Sequence, residues 1–341
     1  MFRKIFFATL MLCVLLLTGC GGGDKPAKTD GDNKTSANKL VIYTSMKESL
    51  IGGIVEGFKA KNPGIEVDWQ SAGAGKIMAK LEAERQSGHL MADVIWTSEV
   101  PDFYQMKEDG LLEKYQPTGF DELLNPFDDY DGSFTAVRLG TLGIVINTDK
   151  IKTPPTTWET IATDPLYKNS FGIADPALSG TAFMSIALLE KQFGWDYIVR
   201  LHDNGATKSK GSGRVIDDTA DGALNACLGV DYITAGSIDK GSPLQMVYPH
   251  ELLMVPSPIA IFKDSDNKDA AKKFVDYMVS QEAQQKVADA GTVPVRRDVT
   301  MPERYNLPAP EDALQNGIKI NYSEVLAKKD ETIKKFSNLF K

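Results

Sequence analysis

Leu40-Val41-Ile42-Tyr43-Thr44-Ser45 opens, and Ala92-Asp93-Val94-Ile95-Trp96 closes, the stretch whose reading decides the fold. Leu40 to Tyr43 is a short apolar strand run. Residues 50–60 place apolar side chains at helical spacing and stop at Asn62-Pro63-Gly64, a chain-breaking tripeptide. Ile65-Glu66-Val67-Asp68-Trp69 alternates apolar and polar, as a strand with one buried face does. Residues 76–86 are helical again, and Asp93-Val94-Ile95-Trp96 is a third strand. This β-α-β-α-β rhythm predicts an α/β fold with a parallel sheet covered by helices.

Downstream, a second unit of the same kind starts at Gly143-Ile144-Val145-Ile146-Asn147 and continues through a helix at 182–193 and a strand at 223–230. Ile259-Ala260-Ile261-Phe262 is a further strand. A helix at 269–290 then presents Ala271, Phe274, Val275, Met278 and Val279 on one side. Residues 39–341 are long for one core, so two lobes are expected. There is no internal repeat of solenoid period.

Upstream, Arg3 and Lys4 precede an apolar run from Ile5 to Leu17, and Leu17-Thr18-Gly19-Cys20 follows. A charged start, an apolar core too short to span a bilayer and small residues before a cut site describe a secretory signal at 1–19. Small residues immediately before a cysteine resemble the bacterial lipobox, which implies that Cys20 is lipidated and anchors the chain to the cell membrane. Residues 20–38 hold Gly, Lys, Asp, Ser, Thr and Asn with almost nothing apolar, and read as a flexible tether.

Composition excludes some partners. With 38 Lys and Arg against 46 Asp and Glu, the formal charge is −8, and no basic stripe interleaves with aromatics, so no nucleic-acid partner is expected. Of three cysteines, Cys13 leaves with the signal and Cys20 carries lipid. Cys227 alone remains, in an apolar stretch, as a small core residue without a disulfide.

Several stretches together carry a family resemblance: the opening and closing segments quoted above, Asn267-Lys268-Asp269-Ala270-Ala271-Lys272-Lys273-Phe274-Val275, Ser280-Gln281-Glu282-Ala283-Gln284-Gln285 and Pro294-Val295-Arg296. In their order and spacing, from residue 39 to about 298, the chain resembles the extracellular solute-binding proteins of bacterial ABC importers, the family of ferric-iron-, phosphonate- and sugar-phosphate-binding receptors. The resemblance implies a type II periplasmic-binding-protein clamp: two lobes, two crossover strands and a ligand cleft between them. Lobe 1 is placed at 39–136 plus 258–341, lobe 2 at 137–257. It also implies a monomer that works with an ABC permease and its ATPase, without catalysis or cofactor, in the periplasm or at the cell surface.

In open α/β sheets a cleft lies beyond the carboxyl ends of strands, where helix N-termini point. Four segments meet that condition. In Thr44-Ser45-Met46-Lys47-Glu48-Ser49, the hydroxyls, Thr44 and Ser45 among them, and exposed N–H groups cap the next helix or bind an anion, with simple capping the alternative for Thr44 and Ser49. Lys47 stands where the resemblance implies a histidine ligand in the iron-binding relatives, and an ammonium neutralises an anion but cannot ligate a metal. In Trp96-Thr97-Ser98, Trp96 either packs the lobe or faces the ligand. Ser98, next to Glu99, stands near the relatives' glutamate ligand. In Ala177-Leu178-Ser179-Gly180-Thr181-Ala182, small residues before a helix let N–H groups approach an oxyanion, and Ser179 otherwise serves as a plain N-cap. The resemblance implies phosphate binding at Ser179, Gly180 and Thr181. The fourth joins Gly211-Ser212-Gly213-Arg214 to Val230-Asp231-Tyr232-Ile233. Arg214 is a bidentate phosphate contact or a surface arginine, and Asp231 is available to an amine or hydroxyl of the ligand. Tyr232-Ile233 replaces the relatives' tyrosine pair, and Tyr248 is a rim contact.

The resemblance implies His, Glu and two Tyr for ferric iron, and Lys47, Ser98, Tyr232 and Ile233 occupy those places. One matching ligand in four favours a phosphate- or phosphonate-bearing small organic anion over the alternative, a ferric-iron receptor, and no metal is expected. Enzyme motifs fail as well. Ala72-Gly73-Ala74-Gly75-Lys76 is like a nucleotide-binding loop, but Gln70 holds its first glycine position and Ile77 follows the lysine. No G-x-S-x-G elbow and no H-E-x-x-H spacing occur.

Overall fold

The computed structural model describes residues 38–341. The expected signal, Cys20 and all of the tether but Asn38 lie outside the described residues. Strand β1 (Lys39–Thr44), helix α1 (Glu48–Lys61), β2 (Glu66–Ser71), α2 (Ala74–Ser87) and β3 (Val94–Trp96) follow the predicted order, and β1 pairs in parallel with both β2 and β3. Helix α1 forms in spite of Gly52, Gly53 and Gly57, because it buries Leu50, Ile51, Ile54, Val55 and Phe58. Each such side chain contributes roughly 1.5–3 kcal/mol on burial, which outweighs about 1 kcal/mol lost per interior glycine.

After α3 (Val100–Glu108), the strand expected near Gly143 proves to be the end of a longer one. Strand β4 (Thr135–Asn147) runs thirteen residues, every one of them buried. The second unit follows as α4 (Trp158–Thr163), β5 (Phe171–Ala174), α5 (Gly180–Phe193), α6 (Trp195–Asp203), β6 (Thr207–Ser209), α7 (Ser212–Ala220), β7 (Ala226–Val230) and α8 (Asp231–Ile238). Strands β8 (Leu244–Val247) and β9 (Leu253–Ile261) return the chain to the first unit. Helices α9 (Lys268–Met278), α10 (Gln281–Asp289), α11 (Pro310–Asn316), α12 (Tyr322–Ala327) and α13 (Lys329–Leu339) complete it.

The sheet has the order β2-β1-β3-β9-β4-β7-β5-β6, with β8 paired to β4. It is mixed rather than all parallel, which corrects the expectation from the alternating rhythm. β5 is parallel to β6 and β7, but β4 runs antiparallel to β7, β8 and β9, and β9 antiparallel to β3. The reason is topological. β4 carries the chain out of the first unit and β9 brings it back, so these two long strands oppose one another between two parallel groups. The result is a two-lobed α/β clamp with two crossover strands.

The β4–β9 ladder shifts register between Ala136, opposite Pro258, and Leu139, opposite Pro256. Val137 and Arg138 therefore share one partner, Ser257, in a β-bulge. Proline cannot donate to a ladder, and the bulge sits between the two prolines of this central strand. It also puts Arg138, fully buried, in the middle of the molecule.

The helix expected over 269–290 is two helices. Ser280 ends the first by donating to the Tyr277 carbonyl at 2.6 Å and caps the second by accepting from the Ala283 amide at 3.3 Å, a local competition that serine side chains win near helix ends. Cys227 is free and buried, and burial pushes its thiol up to about 12. No helix among the described residues is long and apolar enough to cross a membrane.

Candidate functional site

The helices α1, α2, α5, α7 and α8 each begin just past the carboxyl end of a parallel strand or of β7, and their first residues converge on one cavity of about 420 Å³. At four of these five N-termini the N-cap residue, Lys47, Gly73, Gly211 or Val230, makes no side-chain cap. Unsatisfied N–H groups and the positive ends of helix dipoles thus face a common space, an arrangement that favours an anion.

At α5 and α7 the side chains add to this. Ser179 Oγ lies 3.0 Å from Thr181 Oγ1 and 3.0 Å from Ser212 Oγ, and the last two lie 3.2 Å apart. Ser179 also accepts from the Ala182 amide at 3.3 Å, so it caps α5 and belongs to the hydroxyl cluster at once. Opposite stands Tyr232, whose phenol oxygen accepts from the Lys47 amide at 3.1 Å. Burial raises the Tyr232 phenol above its ordinary value, and the nearby Arg138 only partly offsets this.

Of the predicted site residues, Ser45, Lys47, Ser98, Ser179, Gly180, Thr181 and Tyr232 line the cavity together. Five others do not. Thr44 is buried, donating to the Trp96 carbonyl at 2.7 Å and accepting from the Met46 amide at 3.0 Å, so it shapes the turn into α1. Trp96 is fully buried in the core, and its indole N–H has no partner. Arg214 is exposed and paired at 2.6 Å with Asp218 one helical turn on. The Tyr248 hydroxyl lies 2.8 Å from Thr141 Oγ1.

Asp231, expected to reach a ligand amine or hydroxyl, instead lies beneath the cavity with both oxygens engaged. Oδ1 accepts from the Tyr232 amide at 2.7 Å and pairs with Arg138 Nη1 at 3.3 Å. Oδ2 accepts from the Thr141 amide at 2.9 Å and from the Thr292 hydroxyl. Arg138 donates further to Ser257 at 2.8 Å and Thr292 at 2.9 Å, reaches Ser98 at 3.4 Å, and lies 4.9 Å from the centroid of the Tyr232 ring. This network draws on β4, β9, α8 and the loop after α10, and it fixes two cavity residues, Ser98 and Tyr232. A buried charge needs such full partnering.

Sequence reading missed Lys76 and Lys210, which line the cavity, and Arg138 below it, and in the segment 211–214 it singled out Arg214 where Ser212 is the lining residue. The signal for Lys76 was present. Ala72, Gly73, Ala74 and Lys76 all line the cavity, and the stretch fails only as a nucleotide loop. Small residues between a strand and a helix, the rule applied to 177–182, apply equally there. Lys47, Ser98, Tyr232 and Ile233, the four residues that the resemblance sets at iron-ligand positions, all line this cavity. Glu99 does not supply the missing carboxylate, because it sits behind Gly180, ion-paired with Lys329.

Residues 53–309 match the family described as bacterial extracellular solute-binding protein. An uncharacterized protein of Haemophilus influenzae is 30% identical over 267 residues, covering 72% of this chain and 74% of that protein. A periplasmic protein of Salmonella typhimurium, for which 2-aminoethylphosphonate binding is proposed, is 24% identical over 257 residues, or 72% of this chain and 74% of that one. Among solved structures, the periplasmic binding protein AfuA of Actinobacillus pleuropneumoniae, with fructose-6-phosphate bound, superposes with a TM-score of 0.77 at 26% identity. That match covers 89% of this chain and 99% of AfuA. With three quarters of its length inside the family match, the chain belongs to the bacterial extracellular solute-binding proteins, a family of binding proteins rather than enzymes.

Proposed function

We propose that this protein is the receptor of an ATP-driven importer, anchored outside the cytoplasmic membrane by lipid on Cys20, and that it captures a small organic anion bearing phosphate or phosphonate. The lobes, 39–136 with 258–341 and 137–257, close around the ligand by a hinge motion and present it to a permease without chemical change. The observation that carries this reading is the cavity itself: uncapped helix N-termini, the cluster of Ser179, Thr181 and Ser212, and lysine side chains share one space. Such donors suit a phosphate-type oxyanion, and enclosure strengthens each charge-assisted bond.

Iron is a poorer guest. At the places where the resemblance implies His, Glu and two Tyr stand an ammonium, a hydroxyl, one phenol and an alkyl chain, so one donor in four matches. Relatives with phosphorylated or phosphonate ligands in their names support the choice.

The test is a ligand-dependent melting curve. Fructose-6-phosphate or a short alkyl phosphonate is expected to raise the melting temperature, while fructose is not. A rise with ferric iron and none with any phosphate compound would reverse the assignment. Cys20→Ala is expected to move the protein from the membrane fraction to the soluble one, and hydrolysis of the ester on incubation would contradict the binding role.

A further inference from the structure

The cavity lining has a charge pattern that the phosphate-type anion alone does not account for. Lys47, Lys76 and Lys210 line it, and no carboxylate does. None of the three lysines has an ion-pair partner among the described residues. They come from both sides of the cleft: Lys47 and Lys76 from the β1–α1 and β2–α2 segments, Lys210 from the turn into α7.

The carboxylates in or beside the lining segments are all committed elsewhere. Glu99 pairs with Lys329. Glu48 accepts from the Trp69 indole N–H at 3.2 Å. Asp175 accepts from the Ala177 amide at 2.9 Å and faces Lys208 at 3.6 Å. Asp231 is held by Arg138, Thr141 and Thr292. A cationic group on the ligand therefore finds no counter-charge and three like charges.

We infer that the ligand carries a second anionic group besides its phosphate or phosphonate, and no ammonium group, because three unpaired lysines and no carboxylate line the one cavity. The inference rests on the phosphate-binding reading above. A phosphate ester carries about −1.5 to −2 at neutral pH. That charge, joined to one carboxylate, comes close to offsetting three ammonium groups, whereas a phosphate with a neutral body leaves one of them uncompensated when the cleft closes. The end of Lys47 lies 3.8 Å from where a side chain on Gly213 would begin, so it reaches across the cleft to the first turn of α7. In this proposal Lys47, which spans from α1 to the N-terminus of α7, is assigned to the phosphate, and Lys76 and Lys210 to the second group.

Three two-carbon phosphate esters differing only at the far end test this: phosphoglycolate (carboxylate), 2-hydroxyethyl phosphate (neutral) and O-phosphoethanolamine (ammonium). Calorimetry on the full chain, freed of phosphate, is expected to rank them in that order, with about tenfold or more between the first and the second. In the double variant Lys76→Met, Lys210→Met the preference for phosphoglycolate is expected to collapse. Equal or tighter binding of the neutral or ammonium ester overturns the inference while the phosphate reading stands. A preference that persists in the double variant overturns the assignment to these lysines. If none of the three esters nor inorganic phosphate binds, the phosphate reading falls and takes the inference with it.

Discussion

A methyl group on Gly73 would stand 2.4 Å from the carbonyl oxygen of Leu178. One on Gly75 would stand 2.9 Å from the Ala177 oxygen, and one on Gly180 would meet Glu99 Oε2 at 2.6 Å. Gly73 and Gly75 belong to the first β-α-β unit and Gly180 to the second, so the two units meet over the cavity along a seam with glycines on both sides. Gly73 has φ −57°, which any residue adopts, so its need for glycine is one of space and not of backbone strain. Gly73→Ala is expected to prop the seam open in the liganded state and weaken ligand binding by roughly 1–3 kcal/mol, with the unliganded melting temperature nearly unchanged. Calorimetry paired with small-angle scattering reads both effects. An unaltered affinity would mean that the seam plays no part in closure.

Lys47 donates its amide to Tyr232 and extends its side chain toward α7. Lys47→Ala is expected to weaken binding of a phosphorylated ligand by about 1.5–3 kcal/mol, the range for a hydrogen bond to a charged group. The backbone contact to Tyr232 survives this change, so stability is expected to stay close to that of the parent. A titration curve that superposes on the parent's would remove the ammonium from the site.

Arg138 and Asp231 are both buried and hold one another. Asp231→Ala leaves the guanidinium without its counter-charge, and removing one partner of a buried pair costs about 3–5 kcal/mol. Asp218→Ala, which frees the exposed Arg214, is expected to cost no more than about 1 kcal/mol, as surface pairs do. Urea unfolding of the two variants measures the contrast; similar losses would show that the buried network does not organise the floor of the cavity.

Glu99 gives stability a pH dependence of defined sign. Burial and the charge of Asp102 raise its carboxyl to about 7 against the pull of Lys329. The folded protein thus holds a proton that the unfolded chain releases near 4.5. This contribution is fully present below about 4.5 and is lost as pH rises to about 7. Asp102 shifts in the same direction, also through burial. Lys329 is raised as well, so its own contribution fades only above the ordinary lysine range. Carboxylates held below their ordinary values by partners, Asp298 by Arg296 and Glu282 by Lys61, act on the acid side and lose their contribution as pH falls. Glu99→Gln is expected to flatten the decline between pH 5 and 7. Denaturation curves at several pH values check this, and an unchanged slope would place the titrating group elsewhere.

Much of the architecture was legible because local signals act over short distances. The apolar face of α1 and its stop at Asn62-Pro63-Gly64, the alternation in β2 and the apolar run of β3 each declare themselves within a few residues. The turns at 44–49 and 177–182 were readable for the same reason: small and hydroxyl residues between a strand and a helix point to exposed N–H groups. Arg138 was not readable. Nothing in Ala136-Val137-Arg138-Leu139 marks an arginine as buried, since its acceptability depends on Ser257, Asp231 and Thr292, far away in the chain. Arg214 shows the converse: a glycine-rich turn made it a candidate, yet a carboxylate one helical turn on, at Asp218, holds it at the surface.

Periodicity, turn chemistry and residue order along the chain determined by themselves that this is an α/β protein whose cleft lies at the carboxyl ends of its strands. Tertiary structure alone decided that β4 and β9 oppose one another, that Asp231 is spent on Arg138 and that Lys76 and Lys210 join Lys47 around one space. The division has a physical cause. Helices and turns are set by neighbours in sequence, whereas the charge balance of a cavity is a sum over side chains that only the folded chain brings within range of one another.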